Sequence, residues 1–353
     1  MKKVLLISNY VHHYRINNYN YFYHKFKEAG IEFRVLTNDS QKVEFDVNVP
    51  IYILKPGIIS YINYIRKEKP DCIILFLHLK DTIIFPITYY CRIKNLPVIY
   101  WNFGIDLLDP DSKIKNFLYR HLHRQANAIL LYSPEEKIFI NPKYHKKTFV
   151  ANNTVNMTDF ENLSITGNYL KEKILVKEKY IVLYVGRIIK EKRVDVLLKC
   201  FRNKKDIAVV IAGKNLKSEM LEIINNNPNY YYLGEIKYDK IELAKIYHSA
   251  DVVCIPGNVG LAIVESFFWG KPLVTMKPIK GFNSPEIYYL REGENGYIAN
   301  DEKDMEYKIN SLLTNTEQYR RFSEKAREVA MTDAHITKMY QGFKKAIDYL
   351  INS

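Results

Sequence analysis

Short apolar runs alternate with longer segments of helical periodicity along most of the chain. In the first half, the apolar runs predict β-strands at 4–8, 33–37, 52–54, 72–77, 98–101 and 128–132. The segments between these runs predict helices at 15–29, 58–69, 82–94 and 111–125. Regular alternation of strands and helices is typical of a parallel sheet with helices on both faces.

The alternation weakens over 150–179, where polar residues predominate, and then restarts. The second half has predicted strands at 180–185, 208–212, 230–233, 252–255 and 273–276, and predicted helices at 194–201, 218–225, 241–248, 261–268, 302–313, 316–330 and 336–351. A chain of 353 residues also exceeds the usual size of one hydrophobic core. We therefore predict two α/β domains, 1–165 and 166–335, and a last helix, 336–353, that packs back toward the first domain.

The stretch 251–276 combines a strand, a turn at Pro256 and Gly257, and a helix that starts after Gly260. A strand that leads through small residues into a helix leaves backbone N–H groups available, and the helix dipole favours an anion there. Glu265 is the one carboxylate in the otherwise apolar helix. This pattern predicts a phosphate-containing ligand near the start of the helix.

A second candidate anion site follows the strand 180–185, where Gly186 precedes Arg187 and Lys192. Arg187 offers a planar pair of donors and Lys192 a compact charge, a combination that suits a diphosphate. A solvated basic loop would explain the same residues. Because the turn at 256–261 follows an equivalent strand of the same predicted sheet, we favour a shared diphosphate site.

Five segments then occur in family-like order: YVGRIIKEKRVDVLLKCF, IAGKN, YLGEI, ADVVCIPGNVGLAIVESFFWGKPLVT and SPEIYYLREGENGYI. Together they resemble the nucleotide-sugar-binding half of the family 4 retaining glycosyltransferases. The likeness is good over about 180–300 and weaker in the first domain, where it is carried by HHYRINNYNYFYHKF, VIYWNFGIDLL and LYRHLHRQANAILLYS. The resemblance implies the GT-B fold, with two facing Rossmann-like domains and the active site in the cleft between them.

The resemblance also implies roles for individual residues. Arg187 and Lys192 would hold the diphosphate and stabilise the leaving group, and Glu265 would bind the ribose hydroxyls; these three are the expected catalytic residues. The expected donor-binding residues are Gly186, Gly213, Lys214, Glu235, Ile236, Gly257, Asn258, Val259, Gly260, Leu261 and Glu286. In this family the reaction retains the anomeric configuration without a protein nucleophile or a metal. The co-substrate would be a nucleotide sugar, UDP- or GDP-linked rather than ADP-linked, with no further cofactor.

Two positions depart from the family pattern. The family often has a second glutamate eight residues before the helix glutamate, where this chain has Gly257. Many members also have a histidine after the strand that corresponds to 98–101, where this chain has Asn102. On the acceptor side we expect Asn102 and also Arg15, which follows the first predicted strand and would contact the acceptor or a phosphate.

The positive charge of the chain is concentrated in its first half. The formal net charge is +13, and residues 1–150 have 22 Lys and Arg against 13 Asp and Glu. The segment KIKNFLYRHLHR at 113–124 contributes a basic helix, which is either a solvated face or a surface for an anionic membrane or a phosphorylated acceptor. The aromatic residues show no RNA-binding pattern, so we do not expect a nucleic-acid partner.

Other possible sites are less well supported. The four cysteines, Cys72, Cys91, Cys200 and Cys254, lie in or beside apolar segments without CxxC spacing, which is typical of buried reduced thiols. Asp109 and Asp111 have an Asp-x-Asp spacing, but helix capping explains them more simply than a metal site. Because no apolar run is long enough for a signal peptide or a membrane span, we expect a cytoplasmic protein or one peripheral to the inner face of the cytoplasmic membrane.

These observations favour a retaining transferase that moves a hexose-type sugar from a nucleotide diphosphate donor to a saccharide or lipid-linked saccharide. The product would belong to cell-surface polysaccharide or lipopolysaccharide assembly. Two alternatives are a sugar-nucleotide epimerase of the same fold and a non-catalytic nucleotide-sugar-binding module. The shortage of histidines in the second domain argues against the epimerase, whereas Gly257 is the feature that favours a binding module.

Overall fold

The computed structural model describes residues 1–351 except 44, 108, 203, 237–239, 280 and 282. The chain forms two compact units. Unit 1 comprises Met1–Asn156 and His335–Ser353, and unit 2 comprises Met157–Ala334.

Unit 1 contains a parallel seven-stranded sheet. Its strands are β1 Lys2–Ser8, β3 Ile31–Thr37, β5 Ile51–Ile53, β6 Cys72–Phe76, β7 Val98–Asn102, β8 Ala128–Leu131 and β9 Thr148–Val150, in the spatial order β5-β3-β1-β6-β7-β8-β9. A short parallel pair lies beside it, β2 Tyr10–Val11 and β4 Asp39–Ser40. The helices are α1 His13–Glu28, α2 Ile58–Glu68, α3 Ile84–Ile93, α4 Lys113–Gln125 and, numbered last in chain order, α12 Ile336–Ile351. Two 3-10 helices span Pro134–Phe139 and Pro142–Lys147.

The core of unit 1 includes an aromatic cluster between the sheet and two helices. Phe22 and Phe26 of α1 pack against Phe33 of β3, with ring centroids 6.4 and 5.3 Å away. Phe343 of α12 lies 5.0 Å from Phe22 and 4.8 Å from Trp101. Helix α12 thus forms part of the core of unit 1, although it follows all of unit 2 in the sequence.

The boundary after unit 1 falls at Asn156, nine residues before the position expected from the sequence. The segment before the boundary stays in unit 1 because Asn18 of α1 binds it at two points. Its Nδ2 donates to the Thr154 carbonyl at 2.7 Å, and its Oδ1 accepts from the Asn156 N–H at 2.8 Å. The polar stretch 150–179 is therefore only in part a connection between the domains.

Unit 2 contains a parallel six-stranded sheet. Its strands are β10 Tyr180–Val185, β11 Ile207–Ala212, β12 Tyr230–Gly234, β13 Val252–Cys254, β14 Leu273–Met276 and β15 Gly296–Ala299, in the order β12-β11-β10-β13-β14-β15. The helices are α5 Tyr169–Glu172, α6 Val194–Cys200, α7 Ser218–Asn225, α8 Lys240–Ser249, α9 Ala262–Phe268, α10 Glu302–Thr314 and α11 Thr316–Met331, with 3-10 helices at Thr158–Phe160, Lys190–Lys192 and Pro285–Tyr289.

The strand order of unit 2 marks a place for a ligand. Strand β10 lies between β11 and β13. The strands that follow β10 in the sequence extend the sheet first on one side of it and then on the other. At such a switch point the loops after the two central strands diverge and open a crevice beyond their carboxyl ends. The predicted α/β class with two Rossmann-like domains is confirmed. Strands β9 and β15 were not predicted, since each is short and carries partly exposed residues.

Candidate functional site

The loops after β10 and β13 are packed together at the switch point. The N–H groups of Gly257 and Asn258 donate to the carbonyls of Lys192 and Glu191, at 3.1 and 2.9 Å. A Cβ atom on residue 257 would lie 1.9 Å from the Glu191 carbonyl oxygen. Glycine is therefore required at position 257, and the contact brings Lys192 to the loop that precedes α9.

The Lys192 ammonium is inserted into that loop. Its Nζ donates to the Val259 carbonyl at 2.9 Å, and a Cβ on Gly260 would lie 3.3 Å from it. Burial lowers the pKa of Lys192 to about 8, while Glu286 acts to raise it and Arg187 to lower it. At neutral pH the ammonium is thus mostly protonated, and an arriving anion would favour its charged form further.

Arg187 supplies an exposed cation beside the partly buried Lys192. The Tyr184 hydroxyl donates to the Arg187 carbonyl at 2.8 Å, which fixes the backbone directly after β10. The Arg187 side chain is exposed, and its charge is felt at Lys192. The structure therefore places the two predicted cations at one sheet edge, with the buried carboxylate of Glu286 near enough to act on Lys192.

The loop before α9 is held from the other side by Asn283 and Ser284. The buried Val259 donates its N–H to Asn283 Oδ1 at 3.0 Å, and Gly260 donates its N–H to Ser284 Oγ at 2.8 Å. The Gly260 N–H, expected to bind a phosphate, is thus already bound to a hydroxyl. For Leu261, the next residue, no acceptor of its N–H lies among the residues that the structure describes.

Glu265 lies in the first turn of α9 and is partly buried. The Tyr247 hydroxyl donates to its Oε2 at 3.3 Å. Burial raises the pKa of Glu265 to about 7, and the hydrogen bond from Tyr247 opposes this change. A carboxylate in this setting gains from a ligand hydroxyl that donates to it, because such a hydrogen bond favours the ionised form.

A third group of predicted residues follows β11 and β12. A Cβ on Gly213 would lie 1.9 Å from the Gly186 carbonyl oxygen, so the loops after β10 and β11 touch there. The half-exposed side chains of Lys214 and Glu235 form an ion pair at 2.8 Å. Ile236, next to Glu235, is partly buried. These residues adjoin Gly186 and extend the site along the edge of the sheet.

In unit 1 the predicted Arg15 is enclosed rather than exposed. Only 3% of the residue is accessible. Its guanidinium carbon lies 4.7 Å from the ring centroid of Trp101 and 5.3 Å from that of Phe76, with Tyr14 at 5.3 Å and Tyr132 at 5.7 Å. Aromatic faces attract a cation at these distances. Arg15 therefore joins α1 to the ends of three neighbouring strands.

Asn102 likewise has both ends of its amide engaged within unit 1. Its Nδ2 donates to the Tyr100 carbonyl at 3.2 Å, and its Oδ1 accepts from the Gly104 N–H at 2.5 Å. The buried His123 lies with Nε2 3.2 Å from the same oxygen. Burial lowers the pKa of His123 to about 3, so the ring is neutral and serves as a donor. Asn102 thus shapes the turn after β7.

A residue that the sequence did not single out, His78, lies at the end of β6 in the middle of the sheet. Its backbone N–H donates to Asp81 Oδ2 at 2.6 Å, and Asn9 Nδ2 donates to Asp81 Oδ1 at 2.5 Å. The imidazole is partly buried and stacks on Phe103 with centroids 6.2 Å apart. Burial lowers the pKa of His78, against the effect of Asp81. The only signal in the sequence was that polar residues follow an apolar strand.

Other features of the chain can be stated briefly. The four cysteines are free thiols. Within the described part of the chain, no group of three or more His, Cys, Asp or Glu side chains is placed to hold a metal ion. Across the same residues, none of the helices combines the length and the apolar character that crossing a membrane requires.

Comparison with known proteins places this site in a family. Residues 168–329 match the family described as "Glycosyl transferases group 1", and the match includes all of the strand ends described above for unit 2. The matched domain belongs to the group 1 glycosyltransferases. The predicted resemblance is confirmed at this level.

This chain is distantly similar to proteins of known sequence. It is 22% identical over 285 residues to the "Uncharacterized glycosyltransferase MJ1069" of Methanocaldococcus jannaschii, which covers 74% of this chain and 70% of the relative. It is 28% identical over 156 residues to the sulfoquinovosyl transferase SQD2 of Arabidopsis thaliana, covering 43% of this chain and 30% of the relative. The chain therefore spans less than a third of the plant protein.

Solved structures resemble this chain over nearly its whole length. The Anabaena protein Alr3699/HepE, in complex with UDP-glucose, has a TM-score of 0.76 at 14% identity and covers 99% of this chain and 100% of its own. WaaG, described as a glycosyltransferase involved in lipopolysaccharide biosynthesis, has a TM-score of 0.67 at 11% identity, with the same coverage of both chains. These likenesses establish the GT-B fold.

Proposed function

We propose that the protein is a retaining, metal-independent hexosyltransferase that uses a nucleotide diphosphate sugar and a saccharide acceptor. The proposal depends on the position of Arg187 and Lys192, which both lie in the loop after β10. This loop packs at Gly257 against the loop before α9. Glu265 lies one turn into that helix. Two cations and a carboxylate at a switch point suit the diphosphate and the ribose of one donor.

The cations supply what departure of the nucleotide requires. As the bond between the sugar and the diphosphate breaks, negative charge develops on the leaving phosphate, and donors already in place stabilise it. Lys192 is held on the Val259 carbonyl before any ligand arrives, and the exposed Arg187 side chain is able to close on the diphosphate. Because these side chains supply the positive charge, we propose a reaction without a metal.

The donor is a UDP- or GDP-sugar in this proposal, with UDP preferred because the Anabaena protein is described in complex with UDP-glucose. Glu265 would accept hydrogen bonds from the ribose hydroxyls. Glu286 would lie on the sugar side of Lys192, and Lys214 and Glu235 would line the nucleoside side. On the acceptor side, Arg15 and Asn102 would act indirectly, by holding the strand ends of unit 1.

We further propose that unit 1 binds an anionic membrane surface through α4, on the inner face of the cytoplasmic membrane. Ile114 and Phe117 of this helix are 76% and 63% exposed. The exposed cations of the same helix include Lys113, Arg120 and Arg124. Exposed apolar side chains among cations suit the boundary between anionic headgroups and acyl chains. The acceptor would then be lipid-linked, in cell-surface polysaccharide or lipopolysaccharide assembly.

The donor proposal is tested by calorimetry with UDP, GDP and ADP, followed by a transfer assay with the matching sugar nucleotide. We expect UDP or GDP to bind, and proton NMR of the product to show the anomeric configuration of the donor. Binding of none of the three nucleotides would reject the proposal. An inverted product would reject the retaining mechanism while leaving the donor site intact.

The membrane proposal is tested by co-sedimentation with vesicles that contain anionic lipid. We expect pelleting at low salt, loss at high salt, and weaker pelleting of Phe117→Ala. Tyr307→Ala is the matched control, because Tyr307 is an exposed aromatic residue of unit 2 that is 73% accessible. Equal pelleting of the two variants, or none for the wild type, would contradict the proposal.

A further inference from the structure

A cavity of about 490 Å³ opens in unit 2 at the C-terminal end of α9. The loop 256–261, which forms part of the candidate donor site, precedes the same helix. The helix is seven residues long, so its two ends are about 10 Å apart at the usual rise per residue of an α-helix. The volume is typical of sites for small organic ligands, which take about 300–1,000 Å³. The walls include Phe160, Glu161, Trp269, Ser323, Glu324 and Arg327.

One wall is aromatic and held in place. Trp269, directly after α9, is partly exposed where it lines the cavity. Its ring makes T-shaped contacts with Phe268 at 5.2 Å, Phe160 at 6.2 Å and His248 at 6.3 Å between centroids. Three such contacts hold the indole in place, and the part of Trp269 that stays exposed lines the cavity. A ligand with a flat apolar side would stack there.

The other wall is polar and also anchored. The Arg327 guanidinium stacks over the Phe268 ring at 4.1 Å and donates from Nη1 to the Phe268 carbonyl. This bond uses one of its five N–H donors. Burial lowers the pKa of Arg327, and Glu161 lies close enough to oppose that effect. Each carboxylate has about four acceptor sites, so Glu161 and Glu324 retain acceptors beyond a first partner.

This combination selects among ligand classes. The lining has one guanidinium and two carboxylates, of which Glu324 also pairs with Arg320 at 3.3 Å. The carboxylates repel a phosphate or another anion. A wholly apolar ligand would remove water from three charged groups without replacing their hydrogen bonds. A neutral ring with an apolar C–H face and hydroxyls around its edge suits both walls, because the face can pack on Trp269 and the hydroxyls can bind the charged groups.

We propose that this cavity is a second saccharide-binding site, in which a pyranose ring stacks on Trp269 and is hydrogen-bonded by Arg327 and the two carboxylates. The assignment rests on the chemistry of the cavity. Only its use, to hold a remote sugar of the acceptor or product, rests on the proposed transferase function.

The chain has two tryptophans, Trp101 in unit 1 and Trp269 in unit 2, so 5-fluorotryptophan labelling gives two fluorine NMR signals. Trp269→Phe removes one and assigns it. The full chain is titrated with the methyl glycosides of glucose, galactose, mannose and N-acetylglucosamine, with and without saturating UDP. We expect at least one glycoside to shift the Trp269 signal saturably at millimolar concentration, with or without UDP, and to leave the Trp101 signal in place.

Arg327→Met should weaken this binding about tenfold or more, the expected loss for a hydrogen bond from a charged group. Ser323→Ala, a milder change in the same wall, keeps the test valid if Arg327→Met fails to fold. Lys303→Met is the control, since it removes an exposed cation of the same unit outside the cavity. The proposal is overturned if no glycoside moves the Trp269 signal, if UDP abolishes the shift, or if neither cavity variant weakens binding. A protein that binds no nucleotide but passes this test would reject the donor site alone.

Discussion

The sharpest prediction concerns Gly257, where one methyl group meets backbone. In Gly257→Ala the new Cβ would lie 1.9 Å from the Glu191 carbonyl oxygen and 2.8 Å from the carbonyl carbon of Lys192. Ordinary contacts of this kind exceed 3 Å, so the turn at Lys190–Lys192 has to move by about 1 Å or more. That movement breaks the two hydrogen bonds from Gly257 and Asn258 to this turn.

The cost can be worked out from these contacts. Two hydrogen bonds contribute about 0.5–1.5 kcal/mol each, and forcing extra volume into a packed site costs about 1–3 kcal/mol. We therefore expect Gly257→Ala to lower the free energy of unfolding of unit 2 by about 2–6 kcal/mol. Because Lys192 moves with the turn, we also expect UDP to bind at least about tenfold more weakly.

The assay is urea unfolding followed by the fluorine signal of Trp269, which reports on unit 2 by itself, together with calorimetry of UDP binding. The matched control is Gly293→Ala. At that position φ is +77° and a Cβ would meet no atom within 4 Å, so only the left-handed backbone costs energy, about 1–2 kcal/mol. An unchanged unfolding midpoint and UDP affinity in Gly257→Ala would refute the steric argument.

Further predictions concern three charged residues of the site, Arg187, Lys192 and Glu265. Arg187→Ala and Glu265→Ala should each lower the transfer rate about tenfold or more in a radiolabelled-sugar assay, while circular dichroism stays native; rates near that of the wild type would show that another pocket is used. Because burial lowers the pKa of Lys192 to about 8, UDP binding at pH 8 should take up as much as about half a proton. Calorimetry in buffers of different ionisation enthalpy measures this uptake, which should vanish in Lys192→Met. The folded-state pKa of Glu265 is raised from 4.5 to about 7, so the folded state binds the extra proton and stability should fall as the pH rises from 4.5 to 7. Urea midpoints across this range should show a smaller fall in Glu265→Gln, and an equal fall would exclude Glu265 as the cause.

The sequence predicted the parts of the site that depend on local pattern. Strand ends are marked by apolar runs, and this is why the sequence predicts Arg187 and Lys192 beside the 256–261 turn. The sequence could not predict why position 257 requires glycine. The group that excludes a side chain there is the backbone carbonyl of Glu191, 66 residues earlier in the chain. The sequence shows only that position 257 has no carboxylate, whereas the structure shows that it has no room for any side chain.

Contacts between distant segments account for the remaining differences. Asn283 and Ser284 bind Val259 and Gly260 across 24 residues, and no local pattern connects the two loops. Arg15 was expected to face a ligand because it follows the first strand. Aromatic residues from β6, β7 and the end of β8 enclose it instead, and their convergence on one cation depends on the order of the strands.

The position of α12 has a consequence for biosynthesis. A ribosome delivers all of unit 2 before it delivers this helix, yet Phe343 and Met339 of the helix are fully buried in the core of unit 1. Domains usually mature in the order of their synthesis. The core of unit 1 therefore stays incomplete, with Phe22 and Trp101 not covered by α12, until unit 2 has been synthesised. We expect a chaperone that binds exposed apolar surface to act on unit 1 during this interval.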